Sequence, residues 1–249
     1  INIGSELRQA LVNADAPAPS INSIEDFSIR LLGKGDGGRG LEKQLIDEFN
    51  KINDETPTLA FLSRQATNAI ISADEVKKLT SGYKPDADYP RGLGDRLKMI
   101  AQIISGNCGT KVFYCEQGGY DTHANQPGQH SRLLGDLAGA INAFMKDMNA
   151  KGYGDKITLM TFSEFGRRVA QNDSAGTDHG AAGPMFLIGN KIKPGLHGEH
   201  PSLEKDKLAD GDLKYTTDFR RVYAALLQNW LNADSTKILR NKFEPLAII

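Results

Sequence analysis

The chain has 249 residues, 39% of them hydrophobic and 24% charged, which is ordinary globular composition with enough apolar content for a sizeable core. A net charge of -1 and a pI near 6.6 give no electrostatic case for nucleic acid or an anionic membrane surface. No apolar run reaches the roughly 20 residues that cross a bilayer. The opening INIGSELRQAL lacks both the basic start and the apolar stretch of a signal peptide, and it lacks Met, so the chain is expected to be a fragment or a processed form.

Residues 1–26 combine a short helical piece, Glu6 to Val12, with a Pro- and Ala-containing loop from Ala14 to Ser20, the pattern of a surface connector. Phe27 to Leu32 alternates loosely, as a strand does. The glycine-rich run Gly33-Lys34-Gly35-Asp36-Gly37-Gly38 fits GxGxxG, so a nucleotide-binding turn must be weighed. Three features favour a plain surface turn. Arg39-Gly40 delays the following helix, no return strand of a βαβ unit follows, and Asp36 would set a negative charge beside a pyrophosphate.

From Leu41 to Leu79 the apolar spacing is helical. Leu45, Ile46 and Phe49 share one face, and Leu59, Leu62, Ala66, Ala69 and Ile70 share another, which predicts a helical hairpin or cap. A polar loop covers Ser81 to Asp88. Leu93, Leu97, Ile100, Ile103 and Ile104 predict a helix from Leu93 to Ser105 closed by Gly106. Lys111 to Cys115 reads as a buried strand. Cys108 and Cys115, the only cysteines, are either two thiols or a disulfide; two cysteines do not make a zinc framework.

The segment Gly118-Gly119-Tyr120-Asp121-Thr122-His123 follows that strand. In extended backbone, Asp121 and His123 point the same way. A long amphipathic helix is expected from His130 to Asn149, with Leu133, Leu134, Leu137, Ile141, Phe144, Met145 and Met148 in the core. Ile157 to Phe162 is the next strand. Strand, helix and strand in this order predict a right-handed crossover between parallel strands, which puts Asp121 and Glu164 on the carboxyl edge of one sheet. Asn172 to Gly180 is a glycine-flanked loop carrying Asp178 and His179. Met185 to Gly189 is a third strand, Lys191 to Leu213 a polar excursion with His197 and His200, and Asp218 to Leu231 a final amphipathic helix.

Asp121, His123, Glu164, Asp178 and His179 are oxygen and imidazole donors without thiolate, a set suited to zinc, manganese, magnesium or iron according to geometry. A dication among them would polarise a phosphoryl or sulfuryl oxygen or acidify a water. Each residue also has an ordinary role open to it: Asp121 and Asp178 as turn caps, Glu164 as an ion-pair partner of Arg167 or Arg168. His130 is either a residue on the first-turn face of its helix, a hydrogen-bond partner of a ligand, or a ligand. Arg167 or Arg168 would clamp a substrate anion.

The segments GGYDTHANQ, HSRLL, TFSEFGRRV and GTDHGAAGPMFLIG, with PSINSIEDF and DFRRVYAALLQNWL toward the ends, resemble a bacterial domain-of-unknown-function family of the alkaline phosphatase/sulfatase superfamily. The resemblance implies an alkaline-phosphatase-like α/β/α sandwich with a mostly parallel central sheet, incomplete at its N-terminus. It implies a metal-dependent hydrolase-like site for a small anionic ester, and periplasmic or exported life through a twin-arginine signal. By position, Asp121 and His123 resemble the first ligand pair and His179 the late metal-binding histidine. Glu164 stands where hydrolases of the superfamily have an Asp followed by a His, and Phe165 departs from that second His. Asp178 would ligate or orient, and Arg167 would bind the anion. The nucleophile is expected on a strand preceding Ile1. Residues 1–249 are thus expected to form a single α/β domain: connector and glycine turn over 1–40, helical cap or hairpin over 41–80, and a core carrying the site over 90–249. The rival expectation is a non-catalytic binding or scaffold protein of the same fold.

Overall fold

The computed structural model describes residues 1–4, Leu11, 20–24 and 76–249. The helix expected at Glu6 to Val12, the strand at Phe27 to Leu32, the glycine run Gly33 to Gly38 and the helices expected up to residue 75 lie outside the described residues. The chain is mixed α/β with short strands, and it divides into two compact units. One comprises Ile1–Gln117 with Asp136–Asp147, the other Gly118–Gly135 with Met148–Ile249.

The first unit carries a small parallel sheet in the order β2-β1-β3, with β1 Asn2–Ile3, β2 Ser20–Ile21 and β3 Tyr114–Cys115. Ile3 pairs with Ile21 on one side and Cys115 on the other. At the described ends of the expected surface connector, residues 1–4 and 20–24, the chain is instead built into the sheet, with Asn2, Ile3 and Ile21 buried. Two-residue strands are too short to show a period, so their pattern was not visible. Asn2 Nδ2 donates to Ser20 Oγ at 2.5 Å, and Ser20 Oγ donates to Gly4 O at 2.9 Å, which ties β1 to β2 beside the ladder. The strand expected over Lys111 to Cys115 shrinks to its last two residues, and Val112 is exposed. Among the described residues β3 lies at the edge of this sheet, and its neighbour β1 offers two residues to pair with.

Helix α1, Leu93–Ser105, has the predicted bounds. Asp95 accepts from Gly92 N at 2.9 Å, satisfying an amide that a helix start leaves open, and Gly106 follows the last turn. Leu97, Ile100, Ala101 and Ile103 form its buried face, and the helix packs on β1 and β3. Helix α2, Gln126–Ala150, begins four residues before the expected His130. Ala140, Ala143, Phe144, Asp147 and Met148 are its buried stripe. Leu134, expected in the core, is exposed, because it lies off that stripe. Among the described residues the buried Asp147 accepts from Tyr83 Oη at 2.5 Å, Tyr89 Oη at 2.7 Å and Asp86 N at 2.8 Å. Burial, then the hydrogen bond to Asp147, raises the pKa of both tyrosines. Cys108 and Cys115 are not joined by a disulfide, and burial pushes the Cys115 thiol up to about 11.

In the second unit β4, Leu159–Met160, pairs antiparallel with β7, Leu187–Ile188. The expected parallel crossover from residues 111–115 to residues 157–162 is therefore absent among the described residues. The handedness rule applies only to strands of one sheet, and β3 and β4 belong to different sheets. A second hairpin pairs β5, Gly166–Arg167, with β6, His179–Gly180, antiparallel, with Arg167 opposite His179. A side chain at Gly166 would lie 1.8 Å from Ala182 O, so the close approach of these segments requires glycine there.

The predicted final helix is shorter and is continued by a wider turn. Helix α3, Phe219–Ala225, is capped by Asp218, which accepts from Arg220 N, and a π turn over Leu226–Trp230 follows. Its Val222 and Ala225 pack with Ile248, surrounded by Met160, Met185, Leu187, Leu226, Leu246 and Ile249. Helix α4, Ser235–Leu239, comes last and is capped by Asp234. Residues 191–213 are the expected excursion, with a 3-10 turn at Lys205–Lys207 and a bridge between Ala209 and Asp212. No helix of the described residues is long and apolar enough to cross a membrane.

Candidate metal centre

Three segments of the second unit converge: the stretch after β3, the β5 strand, and the loop leading into β6. Residues 121 to 123 alternate as extended backbone does. Thr122 is buried, while Asp121 and His123 face outward. The β5–β6 ladder sets Arg167 opposite His179 and delivers the second imidazole. Asp121 Oδ1 lies 2.9 Å from His123 Nε2 and 2.7 Å from His179 Nε2. One carboxylate and two imidazoles thus bring ligand atoms within 4.8 Å of one another. Each of these close approaches needs a proton or a cation between the two atoms. The side chains are about half exposed, 61% for Asp121, 47% for His123 and 46% for His179, so a solute reaches them.

Asp178 sits behind this trio. Its Oδ1 lies 3.1 Å from His123 Nδ1, the ring nitrogen turned away from Asp121. It belongs beside the ligand set as an orienting group. The hydrogen bond from His179, helped by nearby His123 and Arg167, holds the Asp121 carboxyl below the usual carboxylate range. The hydrogen bond from Asn172, then that from His123, does the same for Asp178. Glu164 is exposed and is not part of the cluster. The next residue, Phe165, supplies the contact instead: its ring stacks on His179 with centroids 3.8 Å apart and planes 8° from parallel.

Arg167 is largely spoken for. Its guanidinium donates to Thr177 O at 2.5 Å and to Tyr120 O, lies 3.6 Å from Asp121, and sits 5.0 Å from the Phe165 ring centroid. It braces two segments of the site and adds positive charge beside Asp121. Arg168 turns to Asp212 and to the carbonyl of Asp210. His130 stands edge-on to Tyr120, with ring centroids 5.9 Å apart, and lies outside the Asp–His–His cluster; its Nε2 is buried with no hydrogen-bond partner among the described residues. His197 and His200 bond to nearby loop carbonyls, as their sequence context suggests.

Two residues of the site went unread in the sequence. Gln126 Nε2 donates to Thr122 Oγ1 at 3.0 Å and Thr177 Oγ1 at 2.9 Å. Asn172 Nδ2 donates to His123 O at 3.0 Å and Asp178 Oδ1 at 3.3 Å, while its Oδ1 accepts from Ser174 N and Gly176 N. The signal for Asn172 was present as an Asn opening a glycine-containing turn. Gln126 gives no local signal, because Thr177, the partner that ties it to the second loop, is distant in sequence. The backbone N–H groups of Asn125 and Gln126 donate to Ser174 O and Ala175 O, so the loop also satisfies amides at the start of α2.

The sequence profile of the family described as "Protein of unknown function (DUF1501)" matches residues 42–241, a span that holds every residue of this centre. The chain belongs to that family. No curated protein and no solved structure matches it.

Proposed function

We propose that the protein binds a divalent cation through Asp121, His123 and His179 and is a metal-dependent hydrolase of phosphate or sulfate esters. The convergence of one carboxylate oxygen and two imidazole nitrogens carries the reading. Three protein ligands that leave coordination positions open are the usual form of a catalytic rather than a structural cation site. Two imidazoles beside one carboxylate suit zinc or manganese better than magnesium, which prefers oxygen throughout. A cation held there supplies Lewis-acid polarisation of a phosphoryl or sulfuryl oxygen. The chain's own residues set the stage. Asp178 orients His123, Phe165 fixes the plane of His179, and Arg167 adds fixed positive charge where an anionic ester would approach. An alkaline-phosphatase-like sandwich and periplasmic or exported life, both suggested by the motif resemblance, belong to the same proposal.

A second reading, a binding protein without catalysis, draws on the nearby hydroxyls. Thr122 donates to Tyr120 O, Ser163 to Phe165 O and Thr177 to Gln126 Oε1, so none of these hydroxyls gives its proton to a carboxylate or imidazole that would activate it. Stripping the protein with chelator, then titrating zinc and manganese with calorimetry and elemental analysis, tests the cation site. Hydrolysis of p-nitrophenyl phosphate and p-nitrophenyl sulfate, lost in His123→Ala and His179→Ala, tests the enzyme. Cation binding without turnover favours the second reading; no cation binding ends both forms of the metal proposal.

A further inference from the structure

We infer that Asn172 is a positioning residue that fixes the His123 imidazole so that Nε2 is presented to a cation. The inference rests on the cation-binding reading above and names the group that makes that site rigid. The Asn172 amide has two donor hydrogens and an acceptor oxygen, and all are used. Oδ1 accepts from Ser174 N and from Gly176 N, each at 3.0 Å. Nδ2 donates to His123 O at 3.0 Å and to Asp178 Oδ1 at 3.3 Å. A flipped amide would put NH2 against two N–H groups and an oxygen against a carbonyl and a carboxylate, so the partners leave one orientation.

The consequence passes through Asp178 to the ring. With its Oδ1 held by Asn172, the Asp178 carboxylate stands 3.1 Å from His123 Nδ1. With a cation at Nε2, Nδ1 carries the ring proton and donates it to Asp178, which holds Nε2 toward the cation. Asn172 therefore grips His123 twice, at the backbone carbonyl and through the carboxylate behind the ring. The loop has no slack to absorb a shift. Any Cβ at Gly176 would lie 2.2 Å from both the carbonyl carbon and the carbonyl oxygen of His123, and Asn172 N itself donates to Gly176 O at 2.9 Å.

Asn172→Asp tests this, because it keeps the size and the acceptor oxygen and removes both donors. Zinc affinity of chelator-stripped protein is read by competition with a chromophoric chelator, and the His123 ring nitrogens by long-range 15N–1H spectroscopy. The expected result is an affinity about 10- to 100-fold below the parent, with shifted His123 nitrogen signals and an unchanged melting temperature. Parent affinity with unmoved His123 signals overturns the inference. Should the parent itself bind no zinc, the proposed function falls, and the His123 signals of the metal-free proteins alone decide the role of Asn172. Should Asn172→Asp fail to fold, Asp178→Asn replaces it. That variant keeps the turn bonds of Asn172 and removes the negative charge behind the ring, so the same loss is expected, and parent affinity there overturns the inference as well.

Discussion

Asp147 and Asp121 carry the same carboxyl group and solve opposite problems. Asp147 is fully buried in helix α2 of the first unit, and two tyrosine hydroxyls and the Asp86 amide bond to it. Asp121 is exposed in the second unit, and its close neighbours are two imidazoles and a guanidinium. Burial makes the first carboxyl expensive unless fully bonded, and the fold supplies neutral donors that hold it in place. Exposure makes the second cheap to keep, so the grouping of nitrogen ligands around it has no purpose in burying surface. The described donors differ accordingly: hydroxyls and an amide around the buried carboxyl, imidazoles and a guanidinium around the exposed one.

The largest expected effect breaks the comparison on the buried side. Asp147→Leu removes the acceptor shared by the Tyr83 and Tyr89 hydroxyls and the Asp86 N–H, and should cost about 3–5 kcal/mol of stability in urea denaturation. Asp147→Asn keeps one acceptor and should cost less. Equal stability of Asp147→Leu and the parent would show that these bonds do not hold the unit. Next in size is the exposed side. Asp121→Asn should move the urea midpoint of the metal-free protein far less than Asp147→Leu does, while lowering zinc affinity at least about 100-fold, since a ligand atom loses its charge. A lowered midpoint with unchanged affinity would reverse the roles assigned to the two aspartates.

A smaller effect sharpens the boundary of the site. Asp178→Asn should lower zinc affinity about 10- to 100-fold, less than Asp121→Asn, because Asp178 acts on His123 Nδ1 rather than on the cation. Glu164→Gln should leave affinity unchanged, since Glu164 stands outside the cluster. A loss in Glu164→Gln equal to that of Asp121→Asn would restore Glu164 as a ligand.

What the sequence made legible follows the length of each signal. Helix α1 spans several turns of period 3.6, and its bounds could be read to the residue. The paired strands are two residues long each, so the apolar runs that announced them overstated their length, and their partners lay too far off to infer direction. Asp121, His123 and His179 were legible because their donor chemistry is visible in the residue type. Glu164 shares that chemistry but not the geometry, and the ring that touches His179 belongs to its neighbour Phe165. Asn172 was hidden because a turn-forming amide looks the same whether or not it serves a site. Asp147 was missed although it lies four residues from Ala143 and seven from Ala140, on the stripe that packs inward. A carboxyl on the apolar face of a helix is itself the clue, and it points to partners that the fold must supply.

The smallest effect is in the pH dependence, and it separates the two regions by the direction of titration. Burial first, then the hydrogen bond to Asp147, raises the pKa of Tyr83 and Tyr89 in the folded state. A raised folded value means that the stabilisation is complete below the ordinary tyrosine pKa of about 10 and is lost as pH climbs through that value and beyond. Asp121 and Asp178 shift the other way, so what they contribute is present above the ordinary carboxylate pKa of about 3.9 and disappears as pH falls below it. Alkaline titration thus probes the buried carboxyl and acid titration the exposed one. In the double variant Tyr83→Phe, Tyr89→Phe, which has no phenol to ionise at Asp147, the fall in urea midpoint between pH 8 and pH 11 should be smaller than in the parent, while the fall between pH 5 and pH 3 should match it. An alkaline limb equally steep in both proteins would show that the tyrosines around Asp147 do not set it.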